Sequence, residues 1–294
     1  MEILVEIGNN KQQKIIASEF KVIETILNRF KPALNIEKVI VPFDFIKTVN
    51  QIQNISSFNS DRGQEQIVLA KTIELNNSCI LVFSPNIYTK GWDNQMRMSL
   101  YLHELMHAIN HRRIPKPITK SLSYNRLFMN LYILYDEYYA NRESFEVIGR
   151  VYPNKSKIFD DFIQGNFKSF LQSLIDNKYY EKIKSEISLF RIHGNIDLFL
   201  KEVHDIFDAA AKNIMYVYSY IDHFDFAKSQ ENLINNSYFI NKKTKCLIDF
   251  YRSKYLKNEF DLISGVDLME DFLTNFGMRF EDREAGEYCH VLDI

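Results

Sequence analysis

Two histidines and a glutamate at residues 103–107 are the side chains of this 294-residue sequence best suited to chemistry. His103, Glu104 and His107 form the pattern His-Glu-x-x-His. On an α-helix, residues four apart lie about 40° apart around the axis and about 6 Å apart along it, so both imidazoles can converge on one metal ion. Glu104 then lies beside the metal, where it can take a proton from a metal-bound water. The pattern predicts a catalytic zinc site with Glu104 as its general base.

A catalytic zinc site needs a third protein ligand, and the next predicted helix offers one. Glu137 and Asn141 lie four residues apart on one face of that helix, and Ala140 would allow a close approach between helices. We expect Glu137 to be the third ligand. Asn141 can accept a hydrogen bond from the second ring N–H of a liganding histidine. Two alternatives stay open at this point: Asp136 as the ligand, or an acidic face that simply meets solvent.

His111 continues the four-residue series but is a poorer candidate. It lies about 12 Å along the helix from His103, too far to share one ion, and better fits a helix end near the negative pole of the dipole. The histidine-rich class of such zinc enzymes would place Gly and His where this chain has Asn110 and Arg113. That class is therefore excluded.

The elements that must position these residues alternate between strand and helix patterns. Periodicity predicts a strand, a helix closed by Pro32, a second strand and a short helix before the site. Two further strands, joined by a tight turn at Asn76-Asn77, precede the helix of His103, which Asp93 should cap. The predicted segments are Met1–Ile7, Lys14–Lys31, Ile36–Val41, Phe43–Ile52, Gln66–Leu75, Ser78–Ser84, Asp93 to about His111 or Arg113, and Leu122–Ile148.

Residues from about 154 onward are predicted to be almost wholly helical. The segment Ile196–Ile221 carries apolar residues along one face, and Asp267–Phe276 is a helix capped by Gly277. The change of pattern near residue 153 suggests two domains, 1–153 and 154–294.

Composition narrows the class of protein. The chain holds 36 Lys and Arg against 38 Asp and Glu, for a net charge of −2. This near balance gives no reason to expect a nucleic-acid partner or a membrane surface. No apolar run approaches the roughly 18–20 residues that a membrane span needs, and the first residues, MEILVEIGNN, lack the basic start of a signal peptide. Three scattered cysteines without a Cys-x-x-Cys pair fit a reducing compartment. We therefore expect a cytoplasmic protein.

These motifs resemble a known family. Arg97–His107, followed about thirty residues later by Glu137-x-x-Ala140-Asn141, resembles the zincin metallopeptidases, within them the glutamate-ligand branch (gluzincins), and most nearly the ImmA/IrrE-type peptidase domains. The resemblance covers residues 66–150. This chain differs from the pattern at Asn141, where the best-known gluzincins have Asp, and at Met106, where a small residue is common.

The resemblance implies a fold and a site. The implied fold is α+β: a zincin-like domain over 1–153, with a small mixed sheet, the His-Glu-x-x-His helix and a third-ligand helix, followed by a mostly α-helical region over 154–294. The implied cofactor is Zn²⁺ on His103, His107 and Glu137. A strand before the first helix would form the upper edge of the cleft, and either of the two hairpin strands could be that edge.

The expected function is hydrolysis of peptide bonds in a protein or peptide substrate, with 154–294 binding substrate or a regulatory partner. Members of the ImmA/IrrE type are associated with limited proteolysis of repressors. One alternative is a non-catalytic module that zinc stabilises and that binds a protein, and another is a metal-dependent toxin or defence effector. No oxyanion-stabilising residue is assigned; the chemically able side chains are Tyr88, Tyr138, Tyr139, Arg142, His193, His204, His223 and His290.

Overall fold

The chain folds into a mixed α+β structure that is 66% helical. The computed structural model describes residues 1–30, 36–59, 68–76, 78–89, 91–111, 113, 121–284 and 286–294. In chain order the elements are β1 (Glu2–Val5), α1 (Asn10–Phe30), β2 (Ile36–Val41), α2 (Phe45–Gln53), β3 (Ala70–Glu74), β4 (Cys79–Phe83), α3 (Asn94–His111), α4 (Leu122–Val151), α5 (Lys157–Ile175), α6 (Lys178–His193), α7 (Ile196–Ile221), α8 (Asp225–Lys228), α9 (Glu231–Ile234), α10 (Lys242–Lys257), α11 (Val266–Leu273), β5 (Met278–Arg283) and β6 (Gly286–Val291). The predicted α+β class, with a small mixed sheet and a helical C-terminal region, is confirmed.

The residues fall into two compact units. The first comprises 1–111 and 143–162, and the second comprises 112–142 and 163–294. Helix α4 therefore contributes its first part to the second unit and its last part to the first unit. These are units of packing, and the division at residue 153 into two domains with separate roles stays a prediction.

The first unit is built on a four-stranded sheet in the order β1-β2-β4-β3. Strands β1, β2 and β4 run parallel, and β3 pairs antiparallel with β4. Helix α1 makes the crossover between β1 and β2, as parallel pairing requires. Every residue of β4 is buried, which is why Cys79–Phe83 is a continuous apolar run without alternation. Within the described residues, β3 has a neighbouring strand on one side only.

Each face of this sheet has its own core. On one face, α2 packs Phe45 and Val49 against sheet residues that include Ile73 and Val82. On the other face, the rings of Phe20 on α1, Phe83 on β4 and Tyr101 on α3 lie 4.5–5.4 Å apart between centroids. Alternation along β3 and β4 sends neighbouring side chains to opposite faces. Thr72, paired with Leu81, therefore lies on the α3 side.

The second unit is organised around α7, whose predicted bounds of Ile196–Ile221 are confirmed. Its predicted apolar face is buried at Phe199, Val203 and Ile214. The predicted helix before Gly277 is also confirmed, as α11 followed by a 3-10 turn at Thr274–Phe276. Gly277 has a φ of 72°, the left-handed conformation that favours glycine at a helix end.

One carboxylate joins three helices of the second unit. Asp222, at the C-terminal end of α7, accepts hydrogen bonds from Arg252 on α10 at 2.7–3.0 Å and from the Tyr138 hydroxyl on α4 at 2.6 Å. Arg142, one turn after Tyr138, lies 3.7 Å from the same carboxylate. Its guanidinium also donates to the Tyr138 oxygen at 2.7 Å. Since the carboxylate is largely buried, these donors stabilise its charge.

The prediction of an almost wholly helical region after residue 154 is wrong at its end. Strands β5 and β6 form an antiparallel hairpin there. Four of the six residues of β5 are charged, and only Met278 and Phe280 of β5 are buried, so the alternating signal is weak. The hairpin also supports α4, because Asp282 accepts a hydrogen bond from the Ser123 backbone N–H at 2.9 Å and thereby caps the start of that helix.

Other sequence predictions fare differently. Strands β1 and β2 and helices α2, α3 and α4 lie at their predicted places, with shifts of a few residues at some ends. Helix α1 begins at Asn10 instead of Lys14, because the Asn9 side chain accepts from the N–H groups of Lys11 and Gln12. Pro32 and Asn77 lie outside the described residues. None of the described helices combines the length and apolarity needed to cross a bilayer.

Candidate metal centre

The helix that carries the His-Glu-x-x-His pattern is capped as predicted. The Asp93 carboxylate accepts from the Met96 backbone N–H at 2.8 Å, which satisfies one of the N–H groups at the start of α3. The second Asp93 oxygen accepts from the Ser156 hydroxyl. The Gln95 side chain forms hydrogen bonds with the Asn154 carbonyl and the Ser156 backbone N–H. The start of α3 is therefore held by contacts within the first unit.

A buried ion pair holds α3 against α1. Arg97 donates two hydrogen bonds to the Glu19 carboxylate, at 3.0 and 2.6 Å, and a third to the Trp92 carbonyl at 3.0 Å. Tyr101, one turn further along α3, donates to Glu19 at 3.1 Å. Glu19 is only 7% exposed. The two helices are thereby fixed in register shortly before His103.

The two histidines converge as their spacing predicts. Their Nε2 atoms lie 2.9 Å apart, and the ring centroids lie 4.5 Å apart with the rings nearly perpendicular. Two ligand nitrogens placed tetrahedrally around a zinc ion would lie about 3.3 Å apart, given Zn–N distances of about 2.0–2.1 Å. The pair therefore needs only a few tenths of an ångström of adjustment to bind one ion.

Glu104 is held by a residue that sequence reasoning did not identify. The Thr72 hydroxyl lies 2.9 Å from the Glu104 carboxylate oxygen Oε2 and 3.0 Å from the Glu104 main-chain oxygen. Thr72 belongs to β3, 32 residues earlier in the chain. Glu104 is 9% exposed. A nearly buried carboxylate with a hydroxyl donor has a defined orientation, which a general base requires.

Glu137 is held within the second unit by two donors from α7. The Tyr216 hydroxyl donates to Oε2 at 3.0 Å, and the Lys212 ammonium lies 3.3 Å from Oε1. Lys212 also pairs with Asp208 at 3.3 Å. Glu137 is 8% exposed, so these donors offset the cost of burying its charge.

The three predicted ligands form one group. One ligand atom from each of His103, His107 and Glu137 lies within 4.8 Å of the others. Two imidazole nitrogens and one carboxylate oxygen are the donor set of a class of catalytic zinc sites with one open position, so the residues fit the ion. Among the described residues, the group contains Glu137 and not Asp136. The His111 side chain lies outside the described part of the chain.

Asn141 lies next to Glu137 along the helix, as expected from the four-residue spacing. Its amide nitrogen donates to the Glu137 main-chain oxygen at 3.0 Å. That bond fixes the side chain with its oxygen as the remaining acceptor. The role predicted for Asn141, accepting from the ring N–H of a liganding histidine, stays a prediction.

Several side chains considered as oxyanion donors have contacts elsewhere. Tyr138 and Arg142 belong to the Asp222 cluster, and Tyr139 packs against Tyr255. The Tyr88 hydroxyl bonds Tyr101, and burial raises the pKa of Tyr88 well above its ordinary value.

Two groups that the sequence analysis did not identify, Lys212 and Tyr216, lie against the Glu137 carboxylate instead. The signal that could have identified them is a lysine and a tyrosine four residues apart in the part of α7 after Asp208, where Lys212 is the one charged residue.

Comparison with known proteins completes the description of the site. The chain matches none. No family model, no curated protein and no solved structure corresponds to it. Any assignment of function therefore depends on the chemistry of the residues themselves.

Proposed function

We propose that this chain is a zinc-dependent metallopeptidase of the zincin type, with His103, His107 and Glu137 as ligands and Glu104 as general base. One observation carries the proposal: a ligand atom of each of the three residues lies within 4.8 Å of the others. Glu104 lies on the same helix, one residue after the first ligand. This is the arrangement that metal-assisted hydrolysis of an amide requires.

The roles of the chain's own residues follow from their contacts. A bound zinc ion supplies Lewis acidity, which polarises a substrate carbonyl and lowers the pKa of water toward about 7. Glu104 accepts the proton of the attacking water and then gives it to the leaving amine. Thr72 holds the Glu104 carboxylate from the strand side. The Tyr216 hydroxyl holds Glu137 from α7, so that the carboxylate keeps one orientation.

Strand β3 supports a peptide as the substrate. In its pairing with β4, the Leu75 N–H donates to the Ser78 carbonyl and the Ser84 N–H donates to the Leu69 carbonyl. Bonding groups alternate along an antiparallel strand, so the N–H and C=O groups of Ala70 and Thr72 point away from β4. An extended peptide can pair with that row of groups. Between the two hairpin strands, β3 is the one at the edge of the sheet that the described residues form.

The alternative is a protein-binding module that zinc only stabilises. Structural zinc sites have four protein ligands and are rich in cysteine. Among the described residues, the metal-competent group holds two histidines and a glutamate. In the alternative, the defined orientation of Glu104 would also serve no purpose. The donor set and Glu104 favour the hydrolase.

The test separates metal binding from catalysis. Wild-type protein, Glu104→Gln, His107→Ala and Glu137→Ala are purified with zinc, and metal content is measured by inductively coupled plasma mass spectrometry. Each protein is then incubated with a proteome-derived peptide library, and new N-termini are identified by mass spectrometry. We expect wild type and Glu104→Gln to bind zinc and His107→Ala to lose it, while only wild type creates new N-termini.

Two outcomes would contradict the proposal. Zinc retention by both His107→Ala and Glu137→Ala would show that these residues do not bind the metal. Wild-type protein that binds zinc but creates no new N-termini would shift the assignment to the stabilised module.

A further inference from the structure

Thr72 occupies a position that neither the motif nor the ligand set explains. Its main-chain N–H and C=O point away from β4, to the edge of β3 that has no neighbouring strand among the described residues, while its hydroxyl lies within hydrogen-bond distance of Glu104. Thr72 thus lies on the strand edge with which a peptide would pair, and it also contacts Glu104, the proposed base.

We propose that Thr72 is a positioning residue that sets the orientation of the Glu104 carboxylate relative to the peptide on β3. This inference rests on the proposed hydrolase function and extends it. The two acceptors of the hydroxyl, Glu104 Oε2 at 2.9 Å and the Glu104 main-chain oxygen at 3.0 Å, belong to one residue. The hydroxyl has one hydrogen and can donate it to either oxygen, and either bond ties Glu104 to the strand.

The same geometry serves Glu104 in both stages of the reaction. While the carboxylate is ionised, the Thr72 hydroxyl donates to Oε2. Once the other carboxyl oxygen carries the proton taken from water, Oε2 remains an acceptor, and the Thr72 hydroxyl still donates to it. The carboxyl group thus keeps its position between accepting the proton and giving it to the leaving amine.

The strand explains why a threonine suits this position. Thr72 is β-branched, so its χ1 is restricted and its hydroxyl direction is held by the strand backbone. Its register partner Leu81 lies in the fully buried strand β4, and neighbouring Ile73 is part of the core under α2. The Glu104 carboxylate is thus positioned by a strand of the sheet. Sites built on strands and helices hold their geometry more precisely than sites on loops.

The experiment compares Thr72→Val, which keeps shape and β-branching without a donor, with Thr72→Ser, which keeps the donor. Thr89→Val is the matched control, since Thr89 also donates a hydroxyl hydrogen bond to a main-chain carbonyl within the first unit. For each protein, kcat and KM are measured on the best-cleaved peptide of the proteome-derived library. Zinc affinity is measured separately by competition with a chelating dye.

We expect Thr72→Val to lower kcat by about 10- to 100-fold, the usual range for losing a hydrogen bond that orients a reacting group. KM and zinc affinity should stay within about twofold of wild type, because the main chain of β3 and the three ligands are unchanged. Thr72→Ser should recover most of the rate, and Thr89→Val should match wild type.

The possible results distinguish the positioning role of Thr72 from the proposed hydrolase function. Wild-type kcat in Thr72→Val would overturn the inference and leave the hydrolase standing. An equal loss in Thr72→Ser and Thr72→Val, or a loss confined to KM or zinc affinity, would also overturn it, because the hydroxyl would not be the cause. Zinc-loaded wild type that cleaves no peptide of the library would overturn both proposals.

Discussion

The buried pair between Glu19 and Arg97 supports a quantitative prediction about how α3 is held. Glu19 is 7% exposed and accepts two hydrogen bonds from Arg97 and one from Tyr101. Replacing Glu19 by Met removes the acceptor and leaves the Arg97 guanidinium uncompensated in a site where its side chain is 15% exposed. Breaking one partner of a buried pair costs about 3–5 kcal/mol.

We expect Glu19→Met to lower the free energy of unfolding by about 3 kcal/mol, near the lower end of that range. The reason is that Arg97 keeps its hydrogen bond to the Trp92 carbonyl and part of its contact with water. The assay is urea unfolding followed by tryptophan fluorescence. Trp92 is the only tryptophan of the chain and lies in the first unit, where its ring is 5.5 Å from that of Phe162. With a slope of about 2–3 kcal/mol per molar urea, the midpoint should fall by about 1–1.5 M.

Two further variants test the reasoning behind that number. Glu146→Gln removes an exposed ion pair with Arg150 in the same unit and should cost less than about 1 kcal/mol. Replacing both Glu19 and Arg97 by Met should be less destabilising than replacing Glu19 alone, because no buried charge is then left without a partner. A Glu19→Met midpoint within about 0.3 M of wild type, or a double variant worse than the single one, would refute the argument.

Two other predictions concern the groups around Glu137 and the thiols. Tyr216→Phe removes the donor to Glu137 Oε2 and should lower zinc affinity by about 10- to 100-fold, whereas Lys212→Met removes a cation 3.3 Å from the carboxylate and should raise it. Chelator competition measures both, and a shift in the same direction for the two variants would contradict the assignment. Burial raises the pKa of the Cys289 thiol to about 11, so at pH 8 only about 0.1% is thiolate. Iodoacetamide should therefore modify exposed Cys246 long before Cys289, and Cys289 should gain reactivity as the pH rises toward 11, as peptide mass spectrometry would report.

Local patterns predicted most of the elements but few of the contacts around the candidate site. The helix of His103 and His107 followed from its Asp93 cap and the four-residue separation of the histidines, both of which act within one or two turns. The bounds of α7 followed in the same way from a long apolar stripe. Signals of this kind depend on neighbours in sequence, so they can be read without knowing the fold.

Contacts that join distant segments could not be predicted in this way. Thr72 lies 32 residues before Glu104, and Tyr216 lies 79 residues after Glu137, so no local spacing links either pair. The hairpin of β5 and β6 was missed because its strands bury few residues and carry many charges. Its use as a cap for α4, through Asp282, depends on a segment 159 residues away from Ser123.

The cluster at Asp222 makes the orientation of Glu137 a property of the whole second unit. Tyr138, the residue after Glu137, and Arg142, one turn later, both meet Asp222, and Arg252 binds the same carboxylate from α10. Helices α4, α7 and α10 thus share a single anion. If one of them opened alone, a largely buried charge would lose a partner. Amide hydrogens in these three helices should exchange in one cooperative event. A substitution of Arg252 in α10 should therefore also change the orientation of the Glu137 carboxylate.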